Sequence, residues 1–148
     1  MTDHVLVPVD ESAQASAAVE HAVTHYAEAD ITLLHVIGYT EKKTSLSRGG
    51  RGRDEGWYAA EREAAEELLE EAGQVAEAHG VEIATAIENG SPSAEILDFV
   101  AERGVNIIVM GFQKRSPTGK ALFGSTAQDV LLSTDCPVVT IPAPISDD

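Results

Sequence analysis

The segment between Gly111 and Thr126 has the residue types of a loop that binds an anion. Glycines stand at positions 111, 119 and 124, and Gly124 is followed directly by Ser125 and Thr126. An apolar run at residues 105–110, typical of a buried strand, precedes the segment. A strand that ends in a glycine-bounded loop and then reaches a helix start presents unpaired backbone N–H groups and the positive end of a helix dipole. The pattern therefore predicts a phosphate site.

Basic residues are concentrated in two stretches of an otherwise acidic chain. The 148 residues include 10 Lys and Arg against 25 Asp and Glu, which gives a formal net charge of −15. Most of the bases lie in two loop-like stretches, with Lys42, Lys43, Arg48, Arg51 and Arg53 in the first and Lys114, Arg115 and Lys120 in the second. Cations confined to short stretches indicate a local site, and we interpret Lys114, Arg115 and Lys120 as groups that neutralise phosphate. The alternative is that loops simply tolerate Lys and Arg.

The composition excludes several classes of protein. A surface this acidic opposes binding to nucleic acid or to an anionic membrane, since both require basic surface. No apolar run approaches the roughly 18 to 20 residues that span a bilayer, and the first residues lack the pattern of a signal peptide. We therefore expect a cytoplasmic protein. The single cysteine, Cys136, excludes an internal disulfide and a multi-cysteine metal site.

Short apolar runs alternate with helical patterns along the whole chain. The runs predict strands at residues 5–9, 31–37, 81–87, 105–110 and 137–141. Helical periodicity follows Ser12, resumes around Ala65, follows Ser91, and spans residues 125–133, while a glycine-rich basic stretch at about residues 38–57 predicts a flexible loop. Parallel neighbours need such helical crossovers. We predict one α/β domain over residues 1–148, an open, Rossmann-like, five-stranded parallel sheet with helices on both faces.

Three separated segments should meet at one edge of this sheet. Asp10 follows the first strand, Val36 lies near the end of the second, and residues 111–126 follow the fourth. In an open parallel sheet, ligands bind beyond the carboxyl ends of the strands, where the strand order reverses. The same edge is therefore where we expect a ligand.

The chain resembles the universal stress protein family over essentially its whole length. The likeness rests on several short motifs, namely Val5-Leu-Val-Pro-Val-Asp10, Leu34-His35-Val36, Gly90-Ser-Pro92, Ile108-Val-Met-Gly111, Phe123-Gly124-Ser125 and Asp135-Cys136-Pro137-Val-Val. The resemblance implies strand order 3-2-1-4-5, with the switch point between strands one and four. It also implies a homodimer joined through the last strand, which includes Val138 and Ile141. The acidic, lysine-poor composition suggests a halophilic archaeon as the source.

A subset of the family binds ATP through Gly-x2-Gly-x9-Gly followed by Ser or Thr. Gly111 matches the first glycine and Gly124 the last, with Ser125 and Thr126 behind it, whereas Lys114 replaces the middle glycine. The Lys114 side chain could exchange backbone contacts for a charge contact with phosphate.

The resemblance also implies roles for residues outside the loop. Pro8 and Asp10 would border the ribose and the adenine, and the main chain of Val36 would contact the adenine ring. Gly124, Ser125 and Thr126 would hold the phosphates. The predicted cofactor is ATP or a related adenine nucleotide, with which Mg²⁺ could bind.

These observations predict a module of the stress response that binds a nucleotide or another phosphate ligand. The alternative on the same fold is a dimeric interaction protein that binds no nucleotide. An enzymatic role stays open, at most slow ATP hydrolysis or autophosphorylation. Asp10, His35 and Ser125 could mimic a hydrolytic triad, but no Gly-x-Ser-x-Gly elbow is present, so we assign no catalytic residue and no metal ligand.

Overall fold

The computed structural model describes residues 3–38, 53–112 and 125–142. Its elements are β1 (His4–Pro8), α1 (Ala13–His25), β2 (Asp30–Gly38), α2 (Arg53–Ala78), β3 (Ile83–Gly90), α3 (Pro92–Arg103), β4 (Ile107–Phe112), α4 (Ser125–Ser133) and β5 (Val138–Pro142). The strands form one sheet in the order β3-β2-β1-β4-β5, and every neighbouring pair is parallel. The predicted fold class and strand order are therefore confirmed. None of the described helices combines the length and the apolar character needed to cross a membrane.

The sheet is covered on both faces, because successive strand residues point to opposite sides. Val5 and Val7 pack with α1 and α2, whereas Leu6, between them, packs with α3 and α4. All three side chains are 0 % exposed. The central strand is therefore apolar on both sides, which leaves polar function to the ends of the strands.

β1 and β4 separate toward their carboxyl ends. The register pairs β1 with β4 only at Val5–Ile107 and Leu6–Ile108, whereas β1 and β2 remain paired as far as Pro8 and Leu34. The chain leaves β1 for α1 on one face and leaves β4 for α4 on the other face. Strands whose connections depart in opposite directions leave a crevice between them.

Gly111 lets the start of α1 approach β4 closely. A Cβ added at residue 111 would lie 2.6 Å from the Cβ of Gln14 and would also collide with the Gln14 carbonyl group. The helix start itself is capped, since the Ser12 hydroxyl accepts a hydrogen bond from the Ala15 N–H at 3.2 Å. Only glycine at residue 111 permits this position of the first turn of α1.

Three predicted boundaries differ from the structure. β4 continues to Phe112, so the prediction that Gly111 opens a loop is wrong: this glycine is a strand residue. α2 begins at Arg53, so the predicted loop at residues 38–57 extends too far toward the carboxyl end. Gly56 does not prevent the helix, because one glycine lowers helix stability by only about 1 kcal/mol, which a long packed helix tolerates. β3 starts at Ile83, because the Val81 N–H still bonds to the Ala76 carbonyl at the end of α2.

We expect Gly111→Ala to lower the free energy of unfolding by about 1–3 kcal/mol, because the added methyl group forces α1 away from β4. Chemical denaturation monitored by circular dichroism measures this change. Gly73→Ala is the matched control: its Cβ would lie 3.8 Å from Ile83 Cδ1, an ordinary contact. Since alanine favours a helix interior, the control should gain about 0.5–1 kcal/mol. Equal effects of the two substitutions would contradict the packing argument.

Candidate functional site

A cleft of about 300 Å³ opens where β1 and β4 separate. Segments distant in sequence line it: the end of β1 and the first turn of α1, the end of β2, the first turns of α3 and α4, and the end of β4. The lining residues are Pro8, Val9, Asp10, Ser12, Gln14, Ala15, Leu34, His35, Val36, Pro92, Ile96, Met110, Gly111, Phe112, Thr126 and Ala127. The cleft therefore lies at the carboxyl edge of the sheet, at the switch point that the sequence predicted.

The inner wall of the cleft is apolar. Val9, Leu34, Ile96 and Met110 line it, and each is at least 95 % buried. Such a wall favours a flat, weakly hydrated group over a charged one, since burying a charge without a partner is costly. Charged parts of a ligand must accordingly lie nearer the mouth.

Asp10 is fixed at the mouth of the cleft by the start of α1. Its Oδ1 accepts hydrogen bonds from the Ser12 N–H at 2.9 Å and from the Ser12 hydroxyl at 2.5 Å. The same hydroxyl accepts from the Ala15 N–H, so the three residues form one capping network. The Asp10 carboxylate is exposed, and within the described residues Oδ2 has no hydrogen-bond partner. That oxygen can accept a hydrogen bond from a ligand hydroxyl or amine.

His35 is held by the backbone of the same turn. Its Nδ1 lies 2.7 Å from the Val9 carbonyl oxygen, and because a carbonyl only accepts, Nδ1 carries the hydrogen. This bond fixes the orientation of the His35 ring. Asp10 bonds to Ser12 and His35 bonds to Val9, so the two side chains are not joined as in a hydrolytic triad.

The main chain of Val36 faces the cleft. The Val9 N–H bonds to the Leu34 carbonyl at 2.8 Å, so Leu34 presents its backbone groups toward β1. Backbone direction alternates along a strand, and Val36 therefore faces the same side, beyond the point where β1 ends at Pro8. An N–H donor and a carbonyl acceptor thus stand side by side at the cleft, without a strand opposite them.

The starts of α3 and α4, which both border the cleft, differ in electrostatic character. Desolvation raises the pKa of Glu95, in the first turn of α3, and neighbouring Asp98, Glu88 and Glu102 raise it further. Negative charge on this side opposes an anion. α4 instead begins at Ser125, has no acidic residue in its first turn and presents Thr126 to the cleft. A helix start of this kind favours an anion.

The structure brings five of the predicted site residues together: Pro8, Asp10, Val36, Gly111 and Thr126 all line the cleft. Ser125 is the first residue of α4. Gly124, Lys114, Arg115 and Lys120 lie outside the described residues.

Sequence reasoning missed several lining residues, among them Ser12, Gln14 and Phe112. Ser12 was recognised only as a helix start, although the first turn of a helix that follows a strand at the switch point borders the crevice there. No sequence signal marks Gln14, whose position depends on its contact with Gly111. Among the described side chains, no group of three or more His, Cys, Asp or Glu could hold a metal ion.

Comparisons with known proteins agree with this architecture. The model of the "Universal stress protein family" matches residues 1–142. Universal stress protein YxiE of Bacillus subtilis is 31 % identical over 149 residues, covering 95 % of this chain and 99 % of the relative. The structure of MJ0577 from Methanocaldococcus jannaschii superposes with a TM-score of 0.75 at 27 % identity and 99 % coverage of both chains.

A second structure is a universal stress protein from Archaeoglobus fulgidus in complex with dAMP, with a TM-score of 0.66 at 24 % identity, covering 95 % of this chain and 98 % of the other. At that identity the likeness concerns the fold alone. The family model, by contrast, matches residues 1–142. The alignment with YxiE, at 31 % identity, covers 95 % of this chain and 99 % of that relative. The chain belongs to the universal stress protein family.

Proposed function

We propose that the cleft binds an adenine nucleotide of the ATP or AMP type and that the protein acts as a nucleotide-binding module in the stress response. One observation carries the proposal: Pro8, Asp10, Val36, Gly111 and Thr126, distant in sequence, line a single cleft at the switch point of the sheet. Its volume of about 300 Å³ is in the range of small-ligand sites. The dAMP complex of the Archaeoglobus fulgidus protein supports the choice of ligand, since that protein is also a universal stress protein.

The adenine ring would lie against the apolar wall. Val36 offers a main-chain donor and acceptor there, and the Watson–Crick edge of adenine offers the matching acceptor, N1, and donor, N6. The Asp10 carboxylate, already held by Ser12, would accept from the ribose hydroxyls. Both contacts use groups whose positions the sheet and the α1 cap determine.

The phosphates would point toward the start of α4. Thr126 and the free N–H groups of the first turn suit an anion, whereas Glu95 and its acidic neighbours oppose one at α3. Gly124 and Ser125 would contribute backbone N–H groups, and Lys114, Arg115 and Lys120 would supply positive charge to balance the phosphates. Mg²⁺ would enter with the nucleotide. The proposal assigns no catalytic step to any residue.

We also propose a homodimer through β5. This strand pairs with β4 on one side, and within the described residues no strand covers its other side. Val138, Val139, Thr140 and Ile141 are half-buried in the single chain. A second copy would cover this edge, which otherwise exposes unpaired backbone groups. The cytoplasmic location and the halophilic source stay predictions.

Calorimetric titration should show that AMP binds at least about tenfold more tightly than inosine monophosphate, because an unpaired buried donor or acceptor costs about 1–3 kcal/mol. Hypoxanthine, the base of inosine monophosphate, reverses the hydrogen-bonding pattern of adenine, because it has a donor at N1 and an acceptor at position 6. The two ligands share ribose and phosphate, so only the base contact is compared. Equal affinities would contradict the Val36 contact, and no binding of either ligand would favour the interaction protein.

Thr140→Pro tests the dimer without disturbing the sheet. The Ile108 N–H bonds to the Pro137 carbonyl, so residues 137 and 139 face β4 and the Thr140 N–H faces outward. Light scattering should give a dimer for the wild type and for the control Thr140→Val, and a monomer for the proline variant. A dimeric Thr140→Pro protein, or a monomeric wild type, would show that β5 does not form the interface.

A further inference from the structure

Two histidines lie one helical turn apart on α1, away from the cleft. His21 and His25 stack with their ring centroids 4.2 Å apart and an interplanar angle of 27°. His25 is exposed and His21 is half-buried, so solvent and ions reach the pair. Neither residue lines the nucleotide cleft. The fold therefore holds two imidazoles together at a place where the proposed function uses neither.

The spacing suits a shared ligand. Residues four apart lie on the same face of a helix, and paired histidines at this spacing bind zinc in helical metal sites. A Zn–N bond is about 2.0–2.1 Å, so two nitrogens on one ion lie within about 4 Å of each other. The rings of His21 and His25 are already adjacent, with their centroids 4.2 Å apart. Because the nitrogen lone pairs lie in the ring planes, side-chain rotations that separate the stacked rings would bring one nitrogen of each to a common ion.

The hydrogen bonds leave suitable lone pairs. The Nδ1 of His25 lies 3.2 Å from the His21 carbonyl oxygen, which can only accept, so Nδ1 carries the hydrogen and Nε2 carries the lone pair. Within the described residues, no hydrogen bond engages the ring of His21. A neutral imidazole with a free nitrogen is the form that binds transition metals.

The other three histidines of the chain are placed differently. His4 is bonded at both ring nitrogens, to the Arg103 carbonyl and to the Thr32 hydroxyl. His35 is bonded to Val9. His79 makes the same local bond as His25, from Nδ1 to the Val75 carbonyl at 3.0 Å, but residue 75 is a valine rather than a second histidine. His79 is thus a matched single-histidine site.

We propose that His21 and His25 together bind one divalent transition-metal ion of the imidazole-preferring group, such as Zn²⁺, with water completing the coordination. The formal net charge of −15 raises the concentration of cations near the chain. Within the described residues no third His, Cys, Asp or Glu joins the pair, so we expect an open, two-residue site. The proposal does not depend on the nucleotide site.

An NMR titration tests the site: Zn²⁺ is added to ¹⁵N-labelled, tag-free protein, and the imidazole nitrogen signals of each histidine are followed. We expect the His21 and His25 signals to shift together and to saturate at one equivalent, while His79 responds only at higher Zn²⁺ concentration. Independent shifts of His21 and His25, or a response of His79 at the same concentration, would overturn the proposal.

Single substitutions separate two-residue binding from weak binding to one ring. His21→Asn should weaken Zn²⁺ binding at the remaining His25 roughly tenfold or more, because the second contact no longer acts at high effective concentration. His25→Asn should have the mirror effect on His21, whereas His79→Asn should leave binding at the pair unchanged. Far-ultraviolet circular dichroism without metal verifies that each variant is folded. Unchanged affinity in a folded His21→Asn or His25→Asn variant would disprove the shared site.

Discussion

The early separation of β1 from β4 is the constraint on which the rest of the site depends. The two strands share only the pairs Val5–Ile107 and Leu6–Ile108, after which their helices leave on opposite faces. The first turn of α1 lies against the end of β4 because residue 111 has no side chain. If α1 moved outward, Asp10 and the cleft wall would move with it. A packing contact between two residues that line the cleft, Gly111 and Gln14, therefore determines the geometry of the cleft.

Contacts within the protein orient the polar groups at the cleft. Ser12 holds the Asp10 carboxylate, and His35 holds the Val9 carbonyl. Val36 presents its main chain because β2 is longer than β1. Groups that are already oriented lose little entropy on binding. The sheet, packed with apolar side chains on both faces, keeps these groups in position.

The two helix starts that border the cleft, those of α3 and α4, differ in charge. The first turn of α3 contains Glu95, which has three acidic neighbours, whereas α4 begins without a carboxylate in its first turn. This difference would direct the proposed anionic ligand toward α4 and the basic segment that precedes it in sequence.

The sequence predicted local features well and long-range contacts poorly. The start of α3 was readily predicted, because its periodicity follows Ser91; in the structure Pro92 starts the helix and Gly104, with φ 63° and ψ 42°, ends it. Gly111 was assigned to the loop because glycine ends many strands, whereas its true requirement comes from Gln14, almost a hundred residues away. Contacts across the fold leave no periodic signal in the sequence.

A crystal structure of the protein with AMP tests the central claim most directly. The account predicts the adenine ring between the carboxyl ends of β1 and β4, bonded to the main chain of Val36, with the phosphate at Thr126 and near Lys114. It would be contradicted if the nucleotide bound elsewhere, or if the protein's own side chains filled the cleft with Lys114 turned to solvent.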